Sequence, residues 1–275
     1  MCPIAAKRVP AGRTLRAVRS VAGTRILLLG QRKSDIDPDG GVAVTLDLKE
    51  HVPNGRVSTG LLVYYGGLTV WGLSRQRYWT KTTDGTLMGL IGIGGGQEPG
   101  ESLIQAVKRE ALEEAGADIA VQGRTPTVWA YEDGRSEIRD LTHLLDEGEP
   151  SPILIWQMDI PWIDDDRKPR KMQYIAAVYL ARFLTDPEPM AESPGMAFIS
   201  EMQLLSLLDG PRLMTEMVSQ GARLKAARRS DYVSDPLAQT DDSTVDGRVT
   251  LPGDTLVQLH GSALYLARHW DQLGL

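Results

Sequence analysis

Cysteine is almost missing from this 275-residue chain, where Cys2 stands alone. No intrachain disulfide can form, a tetrahedral thiolate zinc site has no ligands, and a reducing, cytoplasmic setting is the expectation. Long apolar runs are missing as well. The best stretch, Ile26–Gly30, lies between Arg25 and Arg32 and falls far short of the ~18 residues that span a bilayer, so no membrane insertion is expected. The N-terminus lacks the apolar core and small-residue cleavage site of a signal peptide. Histidine is sparse, and His51, His143, His260 and His269 show no ligand spacing. There is no G-x-S-x-G nucleophile elbow.

Acid is missing from the first 33 residues, which hold eight basic side chains (Lys7, Arg8, Arg13, Arg16, Arg19, Arg25, Arg32, Lys33). The remainder carries 22 basic and 36 acidic groups, so the overall net charge of −6 conceals a body of −14. A basic arm can meet nucleic acid, phosphate or the protein's own acidic body; a solvated or internally paired segment is the plainer account. The acidic body argues against general nucleic-acid binding, whose affinity comes mainly from neutralising phosphates. With 42% hydrophobic and 24% charged residues, the composition is that of a globular protein with chain enough for one enlarged domain or two.

Local patterns divide the chain. Residues 25–30 and 42–48 read as short strands around an Asp-rich turn at 34–41, and 57–65 with 68–73 as a hairpin about Gly66–Gly67. Seven glycines between 85 and 100 precede a helix expected over 103–115. Ser102 and Gln105 open it with a capping box, and Gly116 closes it. Strands are expected at 127–131, 152–160 and 172–184, the last two forming a long hairpin with its tip at 164–171. A short helix fits 136–146, with Ile138, Leu141, Leu144 and Leu145 on one side. Ser200 caps a further helix ending at Gly210–Pro211, and helices are expected over 212–229 and 254–273. Composition breaks near 50–56 and 210 mark an N-terminal extension (1–56), a body (57–209) and a C-terminal helical addition (210–275).

The chemistry gathers in Gly94–Ala117, GGGQEPGESLIQAVKREALEEAGA. On the helix, Glu110, Glu113 and Glu114 stand at i, i+3 and i+4, which puts three carboxylates on one face. Ile104, Val107, Ala111 and Ala115 form an apolar stripe beside them. Arg109 can relieve Glu113 at i+4, yet no one cation partners all three acids. A solvated acidic face would account for the three glutamates alone. A hard divalent cation such as Mg²⁺, which takes oxygen ligands and keeps waters or substrate phosphates, would resolve the repulsion.

With the glycine loop and Glu101 included, the segment satisfies G-x5-E-x7-R-E-U-x-E-E-x-G-U through Gly95, Glu101, Arg109, Glu110, Glu113, Glu114 and Gly116. Here the chain resembles the Nudix hydrolases. The resemblance implies an α/β class, a mixed-sheet α/β/α sandwich, and Mg²⁺ (with Mn²⁺ as a substitute) held by Glu110, Glu113, Glu114 and the Gly94 carbonyl. It implies that Arg109 and Glu101 pair to orient the acids, that Glu192 adds a carboxylate from a loop, and that Glu110 or Glu114 is the general base. It also points to Trp129, Tyr131 and Trp156 as aromatics of the substrate pocket; oligomeric state stays open, a homodimer being one option because N-terminal strands often pair between subunits in related folds. Arg167, Lys168, Arg170 and Lys171 at the hairpin tip could close over phosphates, or form a solvated turn. Ala111 and Ala117 stand where larger aliphatics are usual in the family, and Ile93 where proline is frequent.

The function implied is hydrolysis of the diphosphate bond in a nucleoside diphosphate linked to another moiety. Rival readings are a non-hydrolytic sensor of similar fold and a hydrolase of a non-nucleoside diphosphate such as a prenyl one. An allylic-diphosphate isomerase would lack its cysteine, since Cys2 lies far outside the segment. Two other motifs fail: in Gly92–Gln97 a glutamine replaces the last glycine of a dinucleotide fingerprint, and the Asp35–Asp37–Asp39 turn has Leu46 where an EF-hand needs its bidentate acid.

Overall fold

The computed structural model describes residues 46–163, 168–190, 193–228 and 247–275. The strand expected at 25–30, most of that at 42–48, the basic arm and the Asp-rich turn lie outside the described residues, as do Arg167 and Glu192. The described end of the 42–48 segment is not extended: the Asp47 carboxylate accepts the Lys49 N–H at 2.8 Å and caps a 3-10 turn, Leu48–Glu50.

The described residues form one compact unit. Its strands are β1 (Arg56–Tyr65), β2 (Leu68–Leu73), β3 (Thr80–Lys81), β4 (Thr86–Ile91), β5 (Ile119–Gln122), β6 (Thr127–Tyr131), β7 (Ser136–Arg139), β8 (Leu154–Ile163), β9 (Pro169–Phe183), β10 (Gly195–Ile199), β11 (Arg212–Leu213), β12 (Arg223–Ala226) and β13 (Thr255–Leu259). The helices are α1 (Leu103–Ala115), α2 (Glu201–Ser206), α3 (Met214–Ser219), α4 (Gly261–Arg268) and α5 (Trp270–Leu273). Among the described residues the strands make one mixed sheet in the order β11-β13-β4-β2-β1-β9-β8-β6-β7, with β3, β5, β10 and β12 branching from it.

Alternation along the central strands decides the layers. On β9, Ile175, Ala177, Tyr179 and Ala181 face one core, and Ala176, Val178 and Leu180 face the other. A strand buried on both faces needs this near-continuous apolar run. Leu103, Val107, Ala111 and Ala115 of α1 cover the first face. Leu204, Met214, Leu266 and Trp270, from α2 to α5, cover the second. The α/β/α sandwich on a mixed sheet is therefore present. The small Ala111 and Ala117, both buried, let α1 lie close to the sheet.

The expected hairpin is β1–β2. Its turn glycines, Gly66 and Gly67, have φ of 59° and 78°, the paired positive values that suit a right-twisted two-residue turn. The long hairpin is β8–β9, with Ile163 opposite Pro169, so Arg170 and Lys171 belong to a strand rather than to its tip.

Three helix expectations need correcting. Residues 136–139 are β7, paired with β6 from Val128↔Ile138 to Ala130↔Ser136, and only Thr142–Leu144 turns, as a 3-10 helix. Over 212–229 the helix shrinks to α3, followed by β12 on β10. Residues 255–259 are β13, which pairs in parallel with β4 from Thr255↔Thr86 to Leu259↔Leu90, before α4 begins. The segment after 210 thus shares the sheet and the core with the body instead of being appended to it. No helix among the described residues is long and apolar enough to cross a membrane.

Candidate active site

After β4 the chain runs alongside β1 instead of leaving the sheet. The Leu61 N–H donates to the Ile93 carbonyl at 2.9 Å, the Thr59 N–H to Gly95 at 2.8 Å, and the Gln97 N–H to Val57 at 3.1 Å. The Ser58 hydroxyl also donates to the Gly95 carbonyl. Glycine is required at Gly94, and at Gly95 any side chain would displace the Glu110 carboxylate. A Cβ on Gly94, whose φ is +146°, would overlap the Thr59 carbonyl, and one on Gly95 would overlap the Glu110 carboxylate. The two glycines therefore bring backbone against β1 and against the acids of α1 at once.

Helix α1 begins and ends where its local chemistry directs. The Gln105 N–H donates to Ser102 Oγ at 3.1 Å, and the Ser102 N–H to Gln105 Oε1 at 2.8 Å, completing the capping box. Gly116, at φ 55°, donates its N–H to the Leu112 carbonyl at 3.0 Å and closes the helix.

Arg109 ties loop and helix together with all five of its N–H groups. Nε and Nη2 reach the two Glu101 oxygens at 2.9 and 3.1 Å, and Nη2 also donates to the Gly96 carbonyl at 2.9 Å. Nη1 donates to Glu110 Oε1 at 2.8 Å and to Glu113 Oε2 at 3.0 Å. The guanidinium holds the Glu101 carboxyl below the usual carboxylate range, chiefly through that forked hydrogen bond. Lysine cannot form such a fork. Arg109→Lys is expected to lower stability by about 2 kcal/mol, discounted from a fully buried pair because the side chains keep some water contact. Turnover should fall by tenfold or more, the usual penalty for disturbing the groups that orient ligands. A denaturant midpoint and rate equal to wild type would count against this role.

Glu110 and Glu114 have a different environment. Burial is the main cause raising both carboxyls, with the Arg109 hydrogen bond opposing it at Glu110. Glu114 is pushed up to about 7: desolvation dominates, the bond that Oε2 accepts from the Gly94 N–H at 2.9 Å opposes it, and the Glu110 charge adds to it. Two carboxylates thus crowd one another beside the Gly94–Gly95 backbone. Glu113 is turned to Arg109, with about half of its side chain exposed. Among the described residues no three His, Cys, Asp or Glu side chains converge as a ready set of metal ligands. A two-carboxylate donor set still fits Mg²⁺, which takes one or two protein carboxylates and completes its octahedron with waters and substrate phosphates.

Glu114 opens onto a small cleft lined by Gly72, Arg75, Ile91, Ile93, Ser193 and Met196. The positive charge of Arg75 offsets part of the rise at Glu114. Sequence reasoning missed Arg75, and missed the group opposite Glu110. There Arg56 lies against Gly96, and Tyr174, its pKa raised by burial, feels the Arg56 and Glu110 charges. The parallel register of β1 and β9 sets Arg56 beside Tyr174, and no spacing along the chain announces it.

The aromatics expected to line a substrate pocket are not brought to the acids. Trp129 is 2% exposed, with the Arg139 guanidinium 4.2 Å above its ring and His51 at its edge. Trp156 is 4% exposed, stacked on Tyr265 at 4.7 Å and tilted against Tyr174 at 5.0 Å. Neither indole face is open to a nucleobase. Tyr131, partly exposed, accepts a bond from Arg139 at 2.9 Å and lies beneath Arg135. Its strand, β6, stands three places from β1 in the sheet, about 14 Å at ordinary strand spacing.

No protein-family model matches the chain, and a search of curated proteins returned no match. Solved structures similar to part of it include a Nudix-family hydrolase from Clostridium perfringens, at 19% identity over 55% of this chain and 84% of that one, with a TM-score of 0.33. A MutT protein from Methanosarcina mazei is 16% identical over 60% of this chain and 91% of that one, at 0.32. An ADP-ribose pyrophosphatase from Streptococcus suis is 16% identical over 54% and 75%, at 0.29.

Proposed function

We propose that the chain is a Nudix-type, Mg²⁺-dependent pyrophosphohydrolase that cleaves the diphosphate of a nucleoside diphosphate linked to another moiety. One observation carries the reading: Glu110 and Glu114, withdrawn from water and repelling one another, lie against the Gly94–Gly95 backbone, with Glu114 at the wall of a cleft. Such charge calls for a cation, and the N–H groups of Arg109 are already spent on Glu101, Glu110, Glu113 and the Gly96 carbonyl. Glu110 and Glu114, joined by Glu113 and the Gly94 carbonyl, would hold Mg²⁺, with Mn²⁺ as a substitute. When bound, the ion offsets phosphate charge and lowers the pKa of a coordinated water.

The chain's own groups supply the rest. A carboxylate of the Glu110–Glu114 pair accepts the proton of the attacking water. Glu101 and Arg109 keep the acids aimed, and the Gly94 N–H fixes one oxygen of Glu114. The substrate is a small molecule, and the lone Cys2 fits a cytoplasmic enzyme.

The test is a screen of nucleoside triphosphates, nucleotide sugars, dinucleotides and prenyl diphosphates with Mg²⁺, following monophosphate or phosphate release. Release that stops with EDTA and returns with Mn²⁺ is expected. Thermal stabilisation by one of these compounds with no release from any would move the chain to the sensors. Turnover confined to the prenyl compounds would keep the chemistry and replace the substrate.

A further inference from the structure

The last turn of α1, which carries Glu114, ends against a segment from much later in the chain. The Glu188 N–H donates to the Ala115 carbonyl at 2.8 Å and the Met190 N–H to the Glu114 carbonyl at 2.9 Å. These are among the carbonyls that a helix leaves without partners at its C-terminus. Met190 also packs over Gly116, where a Cβ would overlap its sulfur.

Residues 186–190 belong to no helix or strand. The cations that hold their acids come from beyond residue 210, alongside a contact of Tyr65 with Asp186. Lys225, on β12, places Nζ 2.9 Å from Asp186 Oδ2, 2.9 Å from Glu188 Oε1 and 2.8 Å from the Pro187 carbonyl. Arg248 reaches Glu188 Oε2 at 3.5 Å and donates to the Ala226 carbonyl at 2.6 Å. Both basic residues sit on backbone that is itself anchored. β12 pairs with β10, the Ala227 N–H donates to Pro194 at 3.0 Å, and the Val249 N–H donates to Ala227 at 2.8 Å. The Lys225 side chain is 21% exposed and that of Glu188 30%, so solvent screens this pair less than an open surface pair.

We infer that Lys225 and Arg248 are positioning residues for Glu114. By gripping Glu188 they hold the amides of 186–190 on the last turn of α1, and so fix where the Glu114 carboxylate meets the Gly94 N–H. A consequence for turnover rests on the hydrolase reading above; the positional claim does not. It gives the C-terminal segment a task at the site as well as in the sheet.

Amide hydrogen exchange on the full chain tests it. In Lys225→Met, the Glu188, Met190 and Gly94 amides should exchange about tenfold faster or more, as expected for local opening, while Ala177 in β9 keeps its wild-type rate. Lys225→Arg should restore protection. Arg212→Met, which removes an ion pair with Asp209 at 3.9 Å elsewhere in the same segment, should move none of these amides. Arg248→Met and Glu188→Gln read the same three amides should Lys225→Met fail to fold. With a substrate in hand, kcat should fall about tenfold with KM near wild type, the mark of lost orientation rather than lost binding. A Gly94 amide that stays protected while Glu188 and Met190 open would overturn the inference, as would equal exchange at all three in folded variants. If the wild type hydrolyses nothing in the screen, the function fails and the Gly94 amide still decides the clamp.

Discussion

Glu114→Gln is expected to cut turnover about a thousandfold, within the usual range for removing a general base or its partner, and to leave the chain folded. In metal-free protein above about pH 7 it should make the fold more stable, not less. The reason is the direction of the shift at Glu114. Its carboxyl rises from 4.5 to about 7, so the folded chain keeps a proton that the unfolded chain has already released. Stability therefore falls as pH climbs from the lower value to the higher, and the full cost, about 3 kcal/mol, is present above the upper one. Glutamine keeps an oxygen to accept the Gly94 N–H and carries no charge to desolvate. Denaturant midpoints for wild type and variant should separate at about pH 8 and converge at about pH 4. Glu110→Gln should also lose most activity, with a smaller gain in stability, since the Arg109 bond at 2.8 Å that it gives up offsets part of the burial penalty there. Wild-type rates in both variants with saturating Mg²⁺ would reject the assignment.

The parts of this molecule legible in the sequence are those whose causes lie within a few residues. The capping box of α1, its closing glycine, its apolar stripe and the pairing of Arg109 with Glu101 all come from one short stretch, and the structure has each of them. The Gly66–Gly67 turn is of the same kind. What misled was periodicity with two meanings. Ile138, Leu141, Leu144 and Leu145 suit a helix, yet Ile138 is 61% exposed and residues 136–139 pair with β6 across a tight turn at Tyr131–Gly134. In 255–259 the buried Thr255, Val257 and Leu259 alternate with Leu256 and Gln258, a period of two that a longer helical pattern from 261 onward hid. The tryptophans show a third limit. Composition shows that large aromatics are present, but only the packing shows that Tyr265 and Tyr174 cover Trp156 and that Arg139 covers Trp129.

A chain stopped at Asp209 is expected to lose its cooperative unfolding transition altogether. The missing segment would take β13 from the edge of β4, where five residues pair in parallel. It would also take Met214, Val257, Ala263, Leu266 and Trp270 from the core above that edge, each at most 8% exposed. Burying one such large side chain contributes about 1.5–3 kcal/mol, and a whole domain has only about 5–15 kcal/mol to lose. Losing several at once exceeds that margin even before the bared β4 is counted. Far-UV circular dichroism on heating is the measurement, with the full chain as reference. A broad, shallow change is expected from the shortened chain and a single sharp one from the intact chain. A sharp melt in the shortened chain would mean that residues 57–209 carry enough of the core to stand alone. The same result would leave Lys225 and Arg248 dispensable for folding, and their hold over Glu188 would still be read from the point variants alone.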